Sequence, residues 1–318
     1  FVIIMKNILK SFIPSFLKNI LFRIFLIFVK LFSKYTSSQK FWNKNIVDSP
    51  SNGFKNIESS LSHLEWRNNQ YIDSIHQMKM NQLNNKIVLD YGCGPGNDII
   101  NINQLSKPKQ LIAVDVSENA IRLAKKRVEL HQLKVTFLKI NEKERINDIE
   151  DKSIDIIQSN GVLHHIEDIE FVFTEFSRIL KNSGKIRVMV YNRDSIWFHL
   201  HVAFEMKIKK NIWPNSSLED LFSKTTDGFD CPISKCYKPK NFIKICKQNK
   251  FNAILVGVSI SLFEMSKIAL MWEAQKSKLL NSESVNFLKK IEFDNRGIPY
   301  YNKNVAGINS YFELTRVR

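Results

Sequence analysis

Val88-Leu89-Asp90-Tyr91-Gly92-Cys93-Gly94-Pro95-Gly96-Asn97-Asp98 is the stretch whose reading decides the fold. A short apolar run starting at Lys86 feeds a turn with glycines at 92, 94 and 96. Such a turn lets the backbone bend tightly and approach a ligand at the carboxyl end of a strand, where open α/β sheets bind theirs. A dinucleotide fingerprint would need glycine at 97, where Asn97 stands, which argues against NAD or FAD. No Lys-Ser/Thr pair closes the loop, so a phosphate-cradling P-loop fails as well. Nineteen residues past Gly96 a second apolar run, Leu111 to Val114, ends on Asp115. A carboxylate at the tip of the neighbouring strand can accept both hydroxyls of a ribose. Either element alone is common; in this order and at this spacing they make a strong signal.

Outward from that loop, short apolar runs alternate with amphipathic stretches, which predicts a βα series and a mostly parallel sheet with helices on both faces. Strands are expected near 86–91, 110–115, 134–139, 154–159 and 184–191. Helices are expected near 97–104, 118–131 and 168–181, with a shorter one near 142–149. The helix at 118–131 carries Ala120, Ile121, Leu123, Ala124 and Val128 on one face and Arg122, Lys125, Lys126 and Glu129 on the other. Past Asn192 the segment 239–260 reads as a helix then a strand, and Tyr311 to Val317 as a last, antiparallel strand.

The runs VLDYGCGPGND, AVDVSENAI, SIDIIQSNGVLHHIED and RILKNSGKIRVMVYN resemble the class I S-adenosylmethionine-dependent methyltransferases, with their Rossmann-like fold. The branch is the small-molecule, type 11 one typified by ubiquinone and menaquinone biosynthesis enzymes. The resemblance covers about residues 83–191 and implies S-adenosyl-L-methionine as cofactor. It implies that Asp90 and the loop with Gly92, Cys93, Gly94 and Gly96 hold the methionine portion. Asp115 and Val116 would meet the ribose, and Asn160, Gly161, Val162 and Leu163 would line the cofactor beyond strand four. The usual adenine-contacting acid after strand three is missing, so Asn141 or Glu142 would have to serve.

Methyl transfer from a sulfonium is an in-line displacement, so the enzyme's main tasks are to align the nucleophile and exclude water. A hydroxyl acceptor gains from a base, and His165, just after strand four, is the candidate; His164, His199, Asp194 and Asp227 follow it. Two absences narrow the acceptor. Ser159 to Val162 stand where nitrogen methylation of amides and adenines needs an Asn/Asp-Pro-Pro-aromatic tetrad, and Cys231-Pro232 reverses the Pro-Cys order of cytosine C5 chemistry. The four cysteines, Cys93, Cys231, Cys236 and Cys246, are too few for a disulfide scaffold and match no zinc spacing, so reduced thiols and no metal site are expected.

Charge divides the chain. Lys and Arg outnumber Asp and Glu by 8 to 0 in residues 1–47 and by 20 to 12 in 191–318, while 48–190 are balanced at 19 each. The neutral centre disfavours a nucleic-acid substrate. In residues 1–34, Asn19, Arg23, Lys30 and Lys34 share one stripe of a helix whose other faces are apolar and aromatic, the pattern of a basic amphipathic helix lying in a membrane interface. Lys18, Asn19 and Arg23 interrupt it too early for a span, and no small-residue cleavage site follows, so export is disfavoured and a cytoplasmic protein peripheral on the inner face is expected. The chain opens on Phe1 with its first methionine at Met5, which leaves its start open.

Residues 35–56 read as a linker and 57–82 as a polar helix packing on the core through Trp66, Tyr71 and Ile75. Residues 83–191 form the cofactor domain and 192–318 a lid plus the rest of the sheet. The insertions 192–238 and 261–308 are the expected acceptor pocket, with Tyr191, Asn192, Arg193, Asp194, Asp227, Gly228, Asp230 and Tyr237 as selectivity residues. The expected activity is methyl transfer to a hydroxyl of a lipid, isoprenoid or lipid-linked sugar at the membrane. An RNA methyltransferase and an inactive cofactor-binding subunit are the alternatives.

Overall fold

The computed structural model describes residues 38–317 apart from Asp73 and Glu142. The basic segment 1–34 and its expected membrane contact lie outside the described residues. The chain enters through three helices, α1 (Ser38–Lys44), α2 (Ile57–Asn68) and α3 (Ser74–Gln77). The βα series follows as β1 (Ile87–Tyr91), α4 (Asn97–Leu105), β2 (Gln110–Asp115), α5 (Glu118–Leu130), β3 (Thr136–Lys139), β4 (Ile154–Asn160), α6 (Ile169–Ile179) and β5 (Leu180–Tyr191). The first insertion contains α7 (Leu218–Thr226), beyond it come α8 (Pro239–Gln248) and β6 (Phe251–Ser259), and the last strand is Asn309–Arg316.

These strands form one seven-stranded sheet in the order β3-β2-β1-β4-β5, then the last strand, then β6. The last strand runs antiparallel to both neighbours, with Tyr311 opposite Met189 of β5 and Gly257 of β6. Alternation along the strands makes the two-sided core. Leu89, Ile112, Val114 and Ile157 face Phe173 and Phe176 of α6 and Phe242 of α8. Val88, Leu111, Ala113 and Ile156 face Ile99 and Ile102 of α4 and Ala124 and Val128 of α5. Side-chain caps start the helices, Ser117 accepting from the Ala120 amide (3.1 Å) and Asp168 from that of Phe171 (3.0 Å).

Three expectations need correction. Residues 142–149 do not form a helix: Ile146 and Ile149 are buried, and Arg178 donates to their carbonyls (3.0 and 2.8 Å), satisfying from outside what a helix would satisfy from within. The stretch 35–56 is not all linker, because α1 buries Phe41. The helix expected at 57–82 is broken after Asn68, and Trp66 stays 54% exposed while Leu64 and Ser60 make the buried face.

The insertions form one side body. A wide helix with i→i+5 character, Trp197–Lys209, packs Leu200, Ala203 and Phe204 against Ala274, Leu280, Phe287 and Ile298 of the second insertion.

Candidate active site

The glycine loop owes its shape to three left-handed residues, Gly92 (φ +81°), Gly94 (+52°) and Gly96 (+86°). The amides of Gly92 and Cys93 both donate to the Val114 carbonyl (2.8 and 3.0 Å), tying the loop to the end of β2. Asp115 completes the tie, accepting from the Gly94 amide (2.8 Å) and the Ser117 amide (2.7 Å) through its two oxygens. A Cβ on Gly92 would lie 2.3 Å from Val162, whereas one on Gly94 would meet nothing within 4 Å. The loop is thus packed against the β4 turn at Gly92 and faces a cavity at Gly94.

Gly92, Cys93, Gly94, Asp115, Val116, Asn160, Gly161, Val162 and His165 all line that cavity. Four sequence-expected residues do not. Asp90 lies behind the wall, Leu163 is buried in the core, Gly96 caps α4, where an added Cβ would lie 3.4 Å from Ala124, and Asn141 is an exposed residue bonded to Lys143 and Glu144 of its own turn. Glu142 is outside the described residues, and Ile140 is what β3 presents to the cavity.

The roof comes from a part of the chain that sequence reasoning passed over. Asn43 accepts from the Ser117 hydroxyl (3.0 Å), the Asn119 side chain donates to the Asn43 carbonyl (2.9 Å), and Asn97 donates to the Asp48 carbonyl (3.2 Å). These bonds lay residues 42–48 over the loop. Beside them Arg67 of α2 donates to Asp48 (3.2 Å) and stands 3.7 Å from Asp98. Asp98 also accepts from Asn160 (2.8 Å), and its other oxygen has no hydrogen bond. Behind it one oxygen of Asp90 is buried without a partner. Burial first, then the charges of Asp98 and Asp115, holds Asp90 well above the usual carboxylate range. With Arg67 already bonded to Asp48, this end, which also holds Asp90, Asp98 and Asp115, is short of positive charge.

At the far end, the short turn Leu163–His165 after β4 buries both histidines. The His165 Nδ1 donates to the Ile233 carbonyl (2.7 Å), so in the neutral ring the lone pair is on Nε2. Burial lowers the His165 pKa, and Asp227, 3.8 Å from Nε2, offsets part of that. Trp42 closes this end, its ring 4.7 Å from that of His165. His164 points away and stacks on Tyr191 at 3.7 Å. Of the insertion residues expected at the acceptor, Tyr191 and Asp227 line the cavity. Asn192, Arg193, Asp194, Gly228, Asp230 and Tyr237 do not, nor does any residue of 261–308. His199 bonds Ser284 (2.9 Å) inside the side body.

The methyltransferase-domain family profile matches residues 82–290. The chain belongs to the methyltransferase-domain family. Among curated relatives, the ubiquinone biosynthesis O-methyltransferase of Pelagibacter ubique is 26% identical over 214 residues, covering 65% of this chain and 75% of that one. The malonyl-[acyl-carrier protein] O-methyltransferase of Bacillus cytotoxicus is 30% identical over 46% of this chain and 50% of its own length. Mouse arsenite methyltransferase is 32% identical, but only 36% of its length is spanned. Among solved structures, the YcgJ protein of Bacillus subtilis aligns with 76% of this chain and 97% of its own, at 14% identity and a TM-score of 0.47.

This methyltransferase uses S-adenosylmethionine, and the cavity residues fit it. Asp115 keeps free lone pairs for ribose hydroxyls beyond those its two amides occupy. Gly94 leaves room for close backbone approach. Arg67 suits a carboxylate, and the underpaired acids Asp90 and Asp98 suit a ligand carrying an ammonium and a sulfonium. Arg67, Asp98 and the 42–48 roof were the site features missed. Asp98 stood in the decisive stretch itself, while nothing in residues 42–48 or around Arg67 marks them before folding.

Proposed function

We propose that this methyltransferase transfers its methyl group to a hydroxyl of a small lipid or isoprenoid-type acceptor, presented at the membrane surface by residues 1–34. The observation that carries the reading is the composition of the cavity beyond the loop. Trp42, Ile46, Val47, Met189 and Tyr191 supply apolar wall, and His165 offers one lone pair among them. Bound S-adenosylmethionine supplies an electrophilic methyl carbon; the chain's own residues align the acceptor and keep water out. The roof residues 42–48 do the excluding, and His165 Nε2 with Asp227 does the aligning. Arg67 is the sole Lys or Arg among the lining residues, against Asp48, Asp98, Asp115 and Asp227. That balance favours a reacting end without phosphate and weighs against the RNA reading.

The test is transfer of radiolabelled methyl from S-adenosylmethionine into whole lipid and metabolite extracts. Label in an organic-phase, alkali-stable ether supports the reading. Label only in RNA or polar metabolites, or cofactor binding with no transfer at all, overturns it, the last outcome favouring the inactive subunit.

A further inference from the structure

The acceptor end holds a group of side chains that hydroxyl positioning by one histidine does not need. Asp227 and Cys231 come from one loop and His165 from the turn after β4, and one donor atom of each lies within 4.8 Å of the others. We propose that His165, Asp227 and Cys231 form a divalent-cation site of zinc type, with the fourth coordination position open to the cavity. This deepens the function proposed above and rests on it for the identity of the acceptor.

Three features of the geometry support the assignment. First, the donor set is imidazole, carboxylate and thiolate, which suits zinc or cobalt and is too soft for magnesium or calcium. Three protein donors with a fourth place open is the arrangement of metals that meet a substrate, whereas a structural site closes with four.

Second, His165 and Asp227 are already oriented from behind. The His165 Nδ1 donates to the Ile233 carbonyl (2.7 Å), which turns Nε2 toward Asp227. Asp227 accepts from the Tyr191 hydroxyl (2.8 Å) and from that of Ser234 (2.6 Å). The Cys231 thiol donates to the same Ile233 carbonyl (3.4 Å), a bond it gives up on binding a cation as thiolate. Backing of this kind fixes ring orientation and donor direction in metal sites. A base needs only the first of these contacts.

Third, the distances are within reach of coordination. Zinc bonds of about 2.0–2.1 Å to nitrogen and oxygen, at the tetrahedral angle, put those donors roughly 3.3 Å apart. Asp227 Oδ1 and His165 Nε2 are 3.8 Å apart, and the Cys231 sulfur, 4.0 Å from His165 Nδ1, has to turn toward Nε2 to complete the set. His165 and Asp227 line the cavity, so the open position faces the acceptor.

The consequence for the reaction is direct. A cation held there would make an acceptor hydroxyl in the open position acidic enough to give its proton to bulk water as the acceptor binds, before solvent is excluded. The oxygen's electron pair then forms the bond to the methyl carbon, and the sulfur keeps the pair of the broken carbon–sulfur bond. His165 serves as ligand and not as proton carrier.

The experiment is metal binding by the full chain, measured apart from methyl transfer. Metal-free protein titrated with Co²⁺ should develop a thiolate-to-cobalt charge-transfer band at one equivalent, and zinc should displace it. Cys231→Ser should abolish the band, and Cys236→Ser should keep it. Tyr191→Phe should weaken cobalt binding about 10–100-fold while the band survives at high cobalt. Calorimetry with S-adenosylmethionine on each variant reports whether the fold and the cofactor half are intact. No band in wild-type protein that binds the cofactor, or a band that Cys231→Ser leaves unchanged, overturns the proposal. Loss of cofactor heat in the wild type would instead count against the methyltransferase reading, whatever the cobalt result.

Discussion

Gly92 and Gly94 sit two residues apart in one loop, and the structure expects opposite consequences from giving each a side chain. Both hold positive φ, so alanine at either costs about 1–2 kcal/mol of backbone strain. At Gly92 the new Cβ would also lie 2.3 Å from Val162, adding an overpacking cost of roughly 1–3 kcal/mol. The total for Gly92→Ala is about 2–5 kcal/mol of fold stability. At Gly94 the Cβ meets no protein atom within 4 Å, so the fold loses only the strain. There the cavity is what fills. A displaced methionine portion that loses even one charge-assisted hydrogen bond, worth about 1.5–3 kcal/mol, would lower cofactor affinity by about tenfold to over a hundredfold. Urea unfolding and cofactor calorimetry on both variants, with Gly94→Leu as the stronger block, separate the two effects. Gly94→Leu that binds S-adenosylmethionine like wild type would refute this placement of the cofactor, and Gly92→Ala as stable as Gly94→Ala would refute the packing argument.

Asp115→Ala should weaken cofactor binding by more than the 1–3 kcal/mol of lost ribose bonds, because the Gly94 and Ser117 amides lose their acceptor too; Asp115→Asn, measured by the same titration, should fall between. Removing residues 1–37 should abolish sedimentation with anionic liposomes and leave cofactor affinity unchanged, whereas removal through Asp48 takes away Trp42, Asn43 and the Asp48 carbonyl and should weaken cofactor binding; equal affinities would dismiss the roof. Glu264 is buried among the Ser261 hydroxyl and the Ser261 and Trp197 amides, and burial raises its pKa to about 7. A raised folded-state value means that the protonated form is favoured in the fold. Its stabilisation is therefore full below pH 4.5 and is lost as the pH rises through about 7, on the order of 3 kcal/mol in all. Glu264→Gln should flatten that part of the stability profile, and a difference from wild type that does not change with pH would reject the assignment.

What the sequence showed was set by how local each signal is. The strands and helices from Lys86 to Tyr191 announce themselves because burial on one or two faces imposes a period within a few residues. Asp115 was legible for the same reason, an acid ending an apolar run. The cavity roof was not, since Trp42 and Asn43 reach Ser117 and Asn119 from more than seventy positions away, and a short polar segment carries no mark of what it will cover. Asn141 looked like a cofactor contact because of its place in the chain, but its side chain is taken up by its own turn. The second insertion was read as a lid from its place after a strand. Its buried face instead matches the Trp197–Lys209 helix, a complementarity visible only once both are folded.

The position of the last strand bears on how the protein is made. Among the described residues, strand β6 has no neighbour in the sheet except Asn309–Arg316, which lies between it and β5. As the chain leaves the ribosome, β1 to β5 can assemble with their helices while Phe251–Ser259 waits some fifty residues for its partner, and the free side of β5 stays exposed for longer, from Tyr191 until Asn309–Arg316 is made. An open edge beside Val188 and Val190 invites pairing with other nascent chains. Loss of Asn309–Arg316 would strand both segments at once, so a chain stopped before Asn309 should aggregate and not persist as a shortened enzyme.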